Sequence, residues 1–126
     1  MNQGLEQIWA EILPDGCPPP DAEKPNNEAY FRLVDAVPPA ISDFQSTRAL
    51  YPERKVRDEC IARSVSIFGT EDRCKNAKLL PALKGKEIFK IQLPPESGLV
   101  KETGRDHYSW WRLGSFDIVG YCKEPA

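Results

Sequence analysis

The sequence predicts an α+β fold: a single domain in which an N-terminal helix packs on a mostly antiparallel sheet of about five strands, with one or two further short helices. An apolar stripe with helical spacing lies within the first 13 residues, and short segments rich in aromatic and β-branched residues follow it. Prolines and glycines separate these segments. Because 126 residues is the size of one domain, we expect residues 1–126 to form a single globular unit.

The predicted N-terminal helix spans residues 2–13. Its apolar side chains fall on one helical face and are Leu5, Ile8, Trp9, Ile12 and Leu13. We expect this face to pack on the sheet; the alternative is a docking helix for another chain. Residues 14–28 are rich in proline and predict a stiff connector after the helix.

Five strands and two shorter helices are predicted in the remaining chain. Aromatic and β-branched residues predict strands over 29–34, 63–68 and 87–93, and two more within 107–121 that join near Gly114. Short helices are predicted over 52–62 and 70–80, the second with Thr70 as its N-cap. Residues 96–106 are expected to form a loop.

Composition narrows the classes of function. A net charge of −2 argues against nucleic-acid binding, which usually needs a basic excess. The chain starts without the basic and apolar pattern of a signal peptide and has no long apolar segment, so we expect a cytoplasmic protein without a membrane partner. Without a Cys-x-x-Cys pair, no zinc site is expected, and the four cysteines are expected to be free thiols.

Residues 107–121 are the aromatic centre of the chain. They hold two of the three tryptophans, two of the four tyrosines and the single histidine. Trp110 and Trp111 are neighbours on a predicted strand, so they point to opposite faces. One can enter the core, while a helix, a second layer, a ligand or a partner must cover the other.

The sequence contains no complete catalytic motif. Dinucleotide, Walker A, nucleophile-elbow and zinc-protease patterns are all missing. His107 is expected to be a hydrogen-bonded strand residue rather than a catalytic base. A hairpin about Gly114 would place it opposite residues 121 or 122, next to Cys122. We expect no cofactor.

Two short segments suggest an alternative. Tyr30-Phe31-Arg32-Leu33-Val34, followed by Asp43-Phe44-Gln45-Ser46-Thr47, resembles the strand-borne arginine and the Ser-Thr-Ser segment of arginine-type ADP-ribosyltransferases. The resemblance implies that Arg32 and Ser46 hold a nicotinamide dinucleotide. The chain departs from that family in the shorter gap between the segments, in Arg48 at the second serine and in having no Glu-x-Glu.

We expect a small non-enzymatic binding protein of the accessory, immunity or regulatory type that presents an aromatic and charged surface to a protein partner or a second copy. A nucleotide or small-ligand pocket built on Arg32 and Ser46 is the alternative, and nucleic acid is not expected. The candidate binding residues are Trp110, Trp111, Tyr108, His107, Arg112, Arg32 and Ser46. Burial of both tryptophans within one monomer would exclude them as an exposed recognition surface.

Overall fold

A five-stranded antiparallel sheet organises the chain, as the computed structural model of residues 9–123 shows. Its strand order is β3-β1-β2-β5-β4. The strands are β1 (Ala29–Val34), β2 (Val65–Phe68), β3 (Glu87–Gln92), β4 (Gly98–Gly104) and β5 (His107–Arg112). The predicted α+β class and antiparallel five-stranded sheet are therefore confirmed.

Four short α-helices lie around this sheet in the described part of the chain. They are α1 (Thr47–Leu50), α2 (Glu59–Ala62), α3 (Glu71–Lys78) and α4 (Ile118–Lys123). Ser46, Asp58 and Thr70 cap the first three, each accepting a hydrogen bond from a backbone N–H three residues on. The helix predicted over 52–62 is wrong in its first part, because the Asp58 cap starts α2 only at Glu59. Among the described residues, no helix has the length and apolar character needed to cross a membrane.

The hairpin predicted about Gly114 is wrong. The turn lies at residues 105–106 instead, where Asp106 adopts a φ of 56° and β4 leads directly into β5. Residues 118–123 are helical, and the Asp117 carboxylate accepts a hydrogen bond from Gly120 N at 3.0 Å, as an N-cap does. This cap overrides the strand preference of Ile118 and Val119.

The N-terminal prediction falls partly outside the described chain. Residues 1–8 of the predicted 2–13 helix are not among the described residues, and residues 9–13 are not helical. Trp9 forms an antiparallel bridge with Leu113, and Ala10 N donates to Arg112 O at 2.9 Å. This segment thus extends the pairing of β5 instead of laying a helix on the sheet.

The two faces of the sheet are covered by different elements. On one face the main core cluster includes Trp110 and is joined by side chains from α4 and the Ile41–Phe44 turn; its buried members are Tyr30, Phe44, Val65, Ile67, Ile91, Leu93, Val100, Trp110 and Ile118. Trp111 points to the opposite face, where its indole N–H donates to Cys60 O of α2 at 2.9 Å. Each tryptophan therefore has its own layer of cover.

A disulfide joins Cys17 to Cys60, so the expectation of four free thiols is wrong. The two Cα atoms are 5.6 Å apart, within the usual range for a bridge. Only Cys74 and Cys122 are free cysteines in the described part of the chain. The disulfide links the proline-rich connector to α2, the helix that covers Trp111. The spacing of the cysteines in the sequence does not indicate this pairing.

We expect the Cys17→Ser/Cys60→Ser variant to be less stable than the wild type by about 2–4 kcal/mol, because the bridge restricts an unfolded chain across 43 residues of separation. Urea unfolding of both proteins measures the difference. A reducing agent should lower the stability of the wild type and leave the double variant unchanged. Equal sensitivity of the two proteins to reduction would contradict the assignment.

Candidate functional site

Trp110 and Trp111 are both buried, with 0% and 1% of their surface exposed. Of the four kinds of cover expected for the second tryptophan, a helix is the one observed, because α2 covers Trp111. Trp110 Nε1 donates to Ser97 O at 3.2 Å, and Trp111 Nε1 donates to Cys60 O at 2.9 Å. Because both indoles are enclosed and hydrogen-bonded within the monomer, neither belongs to an exposed recognition surface.

Arg32 and Arg112 converge on one backbone segment, the Ile41–Phe44 turn. Arg32 donates from Nε to Asp43 O and from Nη1 to Ser66 O, each at 2.6 Å, and Arg112 Nε donates to Phe44 O at 3.2 Å. Burial lowers the pKa of Arg32 to about 10, against the opposing effect of Asp43, so the side chain remains charged at neutral pH. Both arginines hold the turn against the sheet.

Ser46 is also committed to the fold. Its hydroxyl donates to Glu11 Oε1 at 2.6 Å and accepts from Ala49 N at 3.1 Å as the cap of α1. The nearby cavity, which Glu11 and Arg112 line, holds only about 10 Å³, roughly the space of one water molecule. The structure thus brings Arg32, Arg112 and Ser46 to one region, where each of the three side chains is hydrogen-bonded within the fold.

His107 is held from both sides of its ring. Nε2 contacts Ser66 Oγ, and Nδ1 lies 3.2 Å from Thr103 Oγ1, which in turn lies 2.9 Å from Ser109 Oγ. Burial lowers the pKa of His107, and the charge of Arg73 lowers it further. A serine–histidine contact resembles a nucleophile with its base, but here a hydroxyl stands where hydrolases place a carboxylate. The network favours a neutral, fixed imidazole.

The free thiols and the carboxylates do not form another reactive centre. Burial raises the pKa of both Cys74 and Cys122 to about 11, so both remain protonated at neutral pH. The predicted neighbourhood of His107 and Cys122 is lost with the hairpin about Gly114, since His107 contacts Ser66 and Thr103. Within residues 9–123, no three His, Cys, Asp or Glu side chains are placed to hold a metal ion.

A cleft of about 370 Å³ opens where β1 and β5 begin. Tyr30 and Tyr108 line it, with ring centroids 5.2 Å apart in an edge-on arrangement. These residues come together because β1 and β5 both pair with β2 and run in the same direction. Of the candidate binding residues taken from the sequence, Tyr108 alone lines this cleft.

The second wall of the cleft is the end of the proline-rich connector. Glu23 pairs with Val100 of β4 through two backbone hydrogen bonds of 2.9 and 2.8 Å, which hold the connector beside the sheet edge. Four carboxylates and two ammonium groups line the cleft: Asp21, Glu23, Glu28 and Glu102, with Lys24 and Lys101. Lys101 is partly neutralised by Asp21, since Nζ and Oδ2 are 3.0 Å apart. The cleft is therefore aromatic and negatively charged.

Burial, and then the nearby carboxylates, raise the pKa values of the two tyrosines. Burial raises the pKa of Tyr30 to about 12, with further increases from Glu28 and Tyr108. The pKa of Tyr108 is also raised, first by burial and then by Glu102, Asp106 and Glu28. Both phenols remain neutral, so they offer hydroxyl groups and ring surfaces instead of further negative charge.

The acidic members of the cleft were missed in the sequence. Glu23 and Glu28 stand in a polar connector, and Glu102 stands in a segment expected to be a loop. Strand pairing brings these carboxylates into the cleft, because Glu102 pairs with Tyr108 and Glu23 pairs with Val100. Val100 and Glu102 are two residues apart on β4 and therefore share one face of the strand, which became visible only once the segment was seen to pair with β5.

We expect Arg32→Met to lower the free energy of unfolding by about 2–4 kcal/mol, since two partly buried carbonyls would lose a charged donor. Arg57→Met, at an exposed position, is the matched control and should change stability by less than about 0.5 kcal/mol. Urea unfolding measures both. Equal stabilities of the two variants would show that Arg32 does not support the fold.

His107 should make stability depend on pH. Its ordinary pKa of 6.5 applies to the unfolded chain and the folded pKa is lower, so the unfolded state binds more protons between the two values. The contribution of His107 to the free energy of unfolding is therefore fully present above pH 6.5, and it decreases as the pH falls below that value.

Unfolding measured between about pH 7.5 and about pH 5 tests this dependence on the titration of His107. The stability of His107→Gln should fall less across this range than that of the wild type. An identical fall in both proteins would assign the pH dependence to other groups.

Comparison with known proteins adds no function to this geometry. No family model matches the chain, and searches of curated proteins and of solved structures find no match. What the chain binds has to be inferred from its own side chains.

Proposed function

We propose that this chain is a small non-enzymatic binding protein of the accessory, immunity or regulatory type, and that the cleft beside Tyr30 and Tyr108 engages a protein partner. The observation that carries this proposal is a pair of neutral tyrosines in a cleft with twice as many carboxylates as ammonium groups. Tyrosine is among the residue types enriched at protein interfaces.

The charge of the cleft favours a basic group on the partner. A lysine or arginine side chain can lay its apolar stem on a tyrosine ring while its charged head approaches Glu23 or Glu28. Glu23 forms no side-chain hydrogen bond or ion pair with another described residue, so its charge is available to such a partner. Complementary charge of this kind supplies specificity and a faster association rate.

The lining differs from that of a typical small-ligand pocket. Small-molecule pockets are mostly apolar with a few polar groups, whereas six of the ten residues that line this cleft are charged. The connector and the β4–β5 hairpin supply charged side chains next to two tyrosines, and a protein partner can contact both kinds of group.

The nucleotide alternative receives less support. The Arg32 guanidinium holds two backbone carbonyls and Ser46 holds Glu11, so both proposed NAD contacts are already used within the fold. A homodimer formed through the cleft is disfavoured, because the negatively charged cleft would repel a second copy of itself.

A cytoplasmic location stays part of the sequence prediction. The Cys17–Cys60 disulfide weighs against it, since such bridges persist mainly in oxidising compartments. Fractionation of the native host with a non-reducing gel of the protein tests location and thiol state together.

We expect an arginine- and lysine-rich peptide to bind the cleft and a glutamate-rich peptide of equal length not to bind. Amide resonances of Tyr30, Lys101 and Tyr108 should shift on titration. Glu23→Gln/Glu28→Gln should weaken the affinity roughly two- to five-fold, because two attractive charges are lost while the side-chain shapes are kept.

Glu53→Gln/Glu87→Gln removes two exposed carboxylates elsewhere and is the matched control. It should bind the basic peptide as the wild type does. If the two double variants weaken the affinity equally, the effect comes from the net charge of the protein and not from the cleft. If the amide resonances that shift lie outside the cleft, the peptide binds elsewhere.

A further inference from the structure

Two adjacent leucines are exposed just after α3. Leu79 and Leu80 expose 78% and 57% of their surface. Two successive backbone turns stabilise this segment, since Leu80 N donates to Ala77 O at 3.1 Å and Leu83 N donates to Leu80 O at 2.9 Å. The two apolar side chains are thus exposed on a hydrogen-bonded turn.

The surroundings of these leucines are basic. Residues 75–86 contain four basic side chains and no acidic one, namely Lys75, Lys78, Lys84 and Lys86, and exposed Glu87 follows them. Lys86 is paired with Asp35 at 2.8 Å, and Lys75 lies 3.8 Å from Glu71. Among the described residues, Lys78 and Lys84 form no ion pair. Although the whole chain has a net charge of −2, this end of the molecule is positively charged around the two exposed leucines.

A second loop reaches the same end of the molecule. Val34, the last residue of β1, pairs with Glu87, the first residue of β3, so the loops next to them emerge together. The Lys86–Asp35 ion pair joins these loops, and Val37 in the β1 loop is 56% exposed. The tyrosine cleft lies at the opposite end, where β1 begins.

We propose that this leucine-tipped basic end binds peripherally to the surface of an anionic lipid bilayer. Leu79 and Leu80 enter the interface between headgroups and acyl chains, while Lys78 and Lys84 contact the negative headgroups. The sequence prediction of no membrane partner considered only segments that span a bilayer, and surface binding needs no such segment.

Other occupants fit this end less well. Two copies facing each other here would bring like charges together, which disfavours a dimer. A nucleic-acid backbone would use the lysines but leave both leucines exposed. An anionic lipid surface can bury the two exposed leucines and also pair with the neighbouring lysines.

Sedimentation with lipid vesicles tests the proposal. The protein should sediment with phosphatidylcholine vesicles that contain phosphatidylglycerol and remain in solution with pure phosphatidylcholine. Raising the salt concentration should release it, because the lysine contacts are screened. Leu79→Ser/Leu80→Ser should reduce the bound fraction roughly ten-fold, since the apolar contribution is lost.

Lys78→Gln/Lys84→Gln should also reduce binding, and Ile12→Ser is the matched control. Ile12 is 80% exposed but lies outside the basic turn, so this variant should bind as the wild type does. Circular dichroism of each variant verifies that the fold is retained.

The proposal is overturned if the protein does not sediment with the anionic vesicles, or if the leucine variant binds as well as the wild type. It is also overturned if a glutamate-rich peptide shifts the amide resonances of residues 78–84 while anionic vesicles do not. That result would assign the surface to an acidic protein.

Discussion

The fold depends on the two indole N–H groups of β5. A buried indole needs a hydrogen-bond acceptor, and Trp110 and Trp111 reach opposite faces of one strand. Trp110 takes the carbonyl of Ser97, next to the start of β4, and Trp111 takes the carbonyl of Cys60 in α2. Side-chain alternation along a single strand thus ties β5 to the start of β4 within the sheet and to α2 on the face of Trp111.

Local chemistry predicted the regular parts of the fold well. The first strand was predicted over 29–34 and is observed over Ala29–Val34, because aromatic and β-branched residues end there at a polar, proline-containing turn. Thr70 also caps α3 as predicted. The hairpin was misplaced because Asp106 adopts a left-handed conformation that Gly114 was expected to provide, and because Asp117 starts a helix.

The site could be predicted only in part. Tyr108 was selected because of its aromatic neighbours, and it does line the cleft. The carboxylates around it come from segments about 80 residues apart in sequence, and the pairing of Glu23 with Val100 joins them. Arg32 was chosen as a candidate because a charged residue on an apolar strand is unusual. An arginine is also found in such a position when it donates hydrogen bonds to buried carbonyl groups, and this is its role here.

The Cys17–Cys60 bridge also changes what a break in the main chain would do. Residues 51–58 connect α1 to α2, and all of them except Val56 are exposed, which makes this segment accessible to a protease. A cut there falls inside the ring that the disulfide closes, so both fragments stay covalently joined. The nicked molecule would keep β1 between β2 and β3 as a two-chain protein until a reductant separated the fragments.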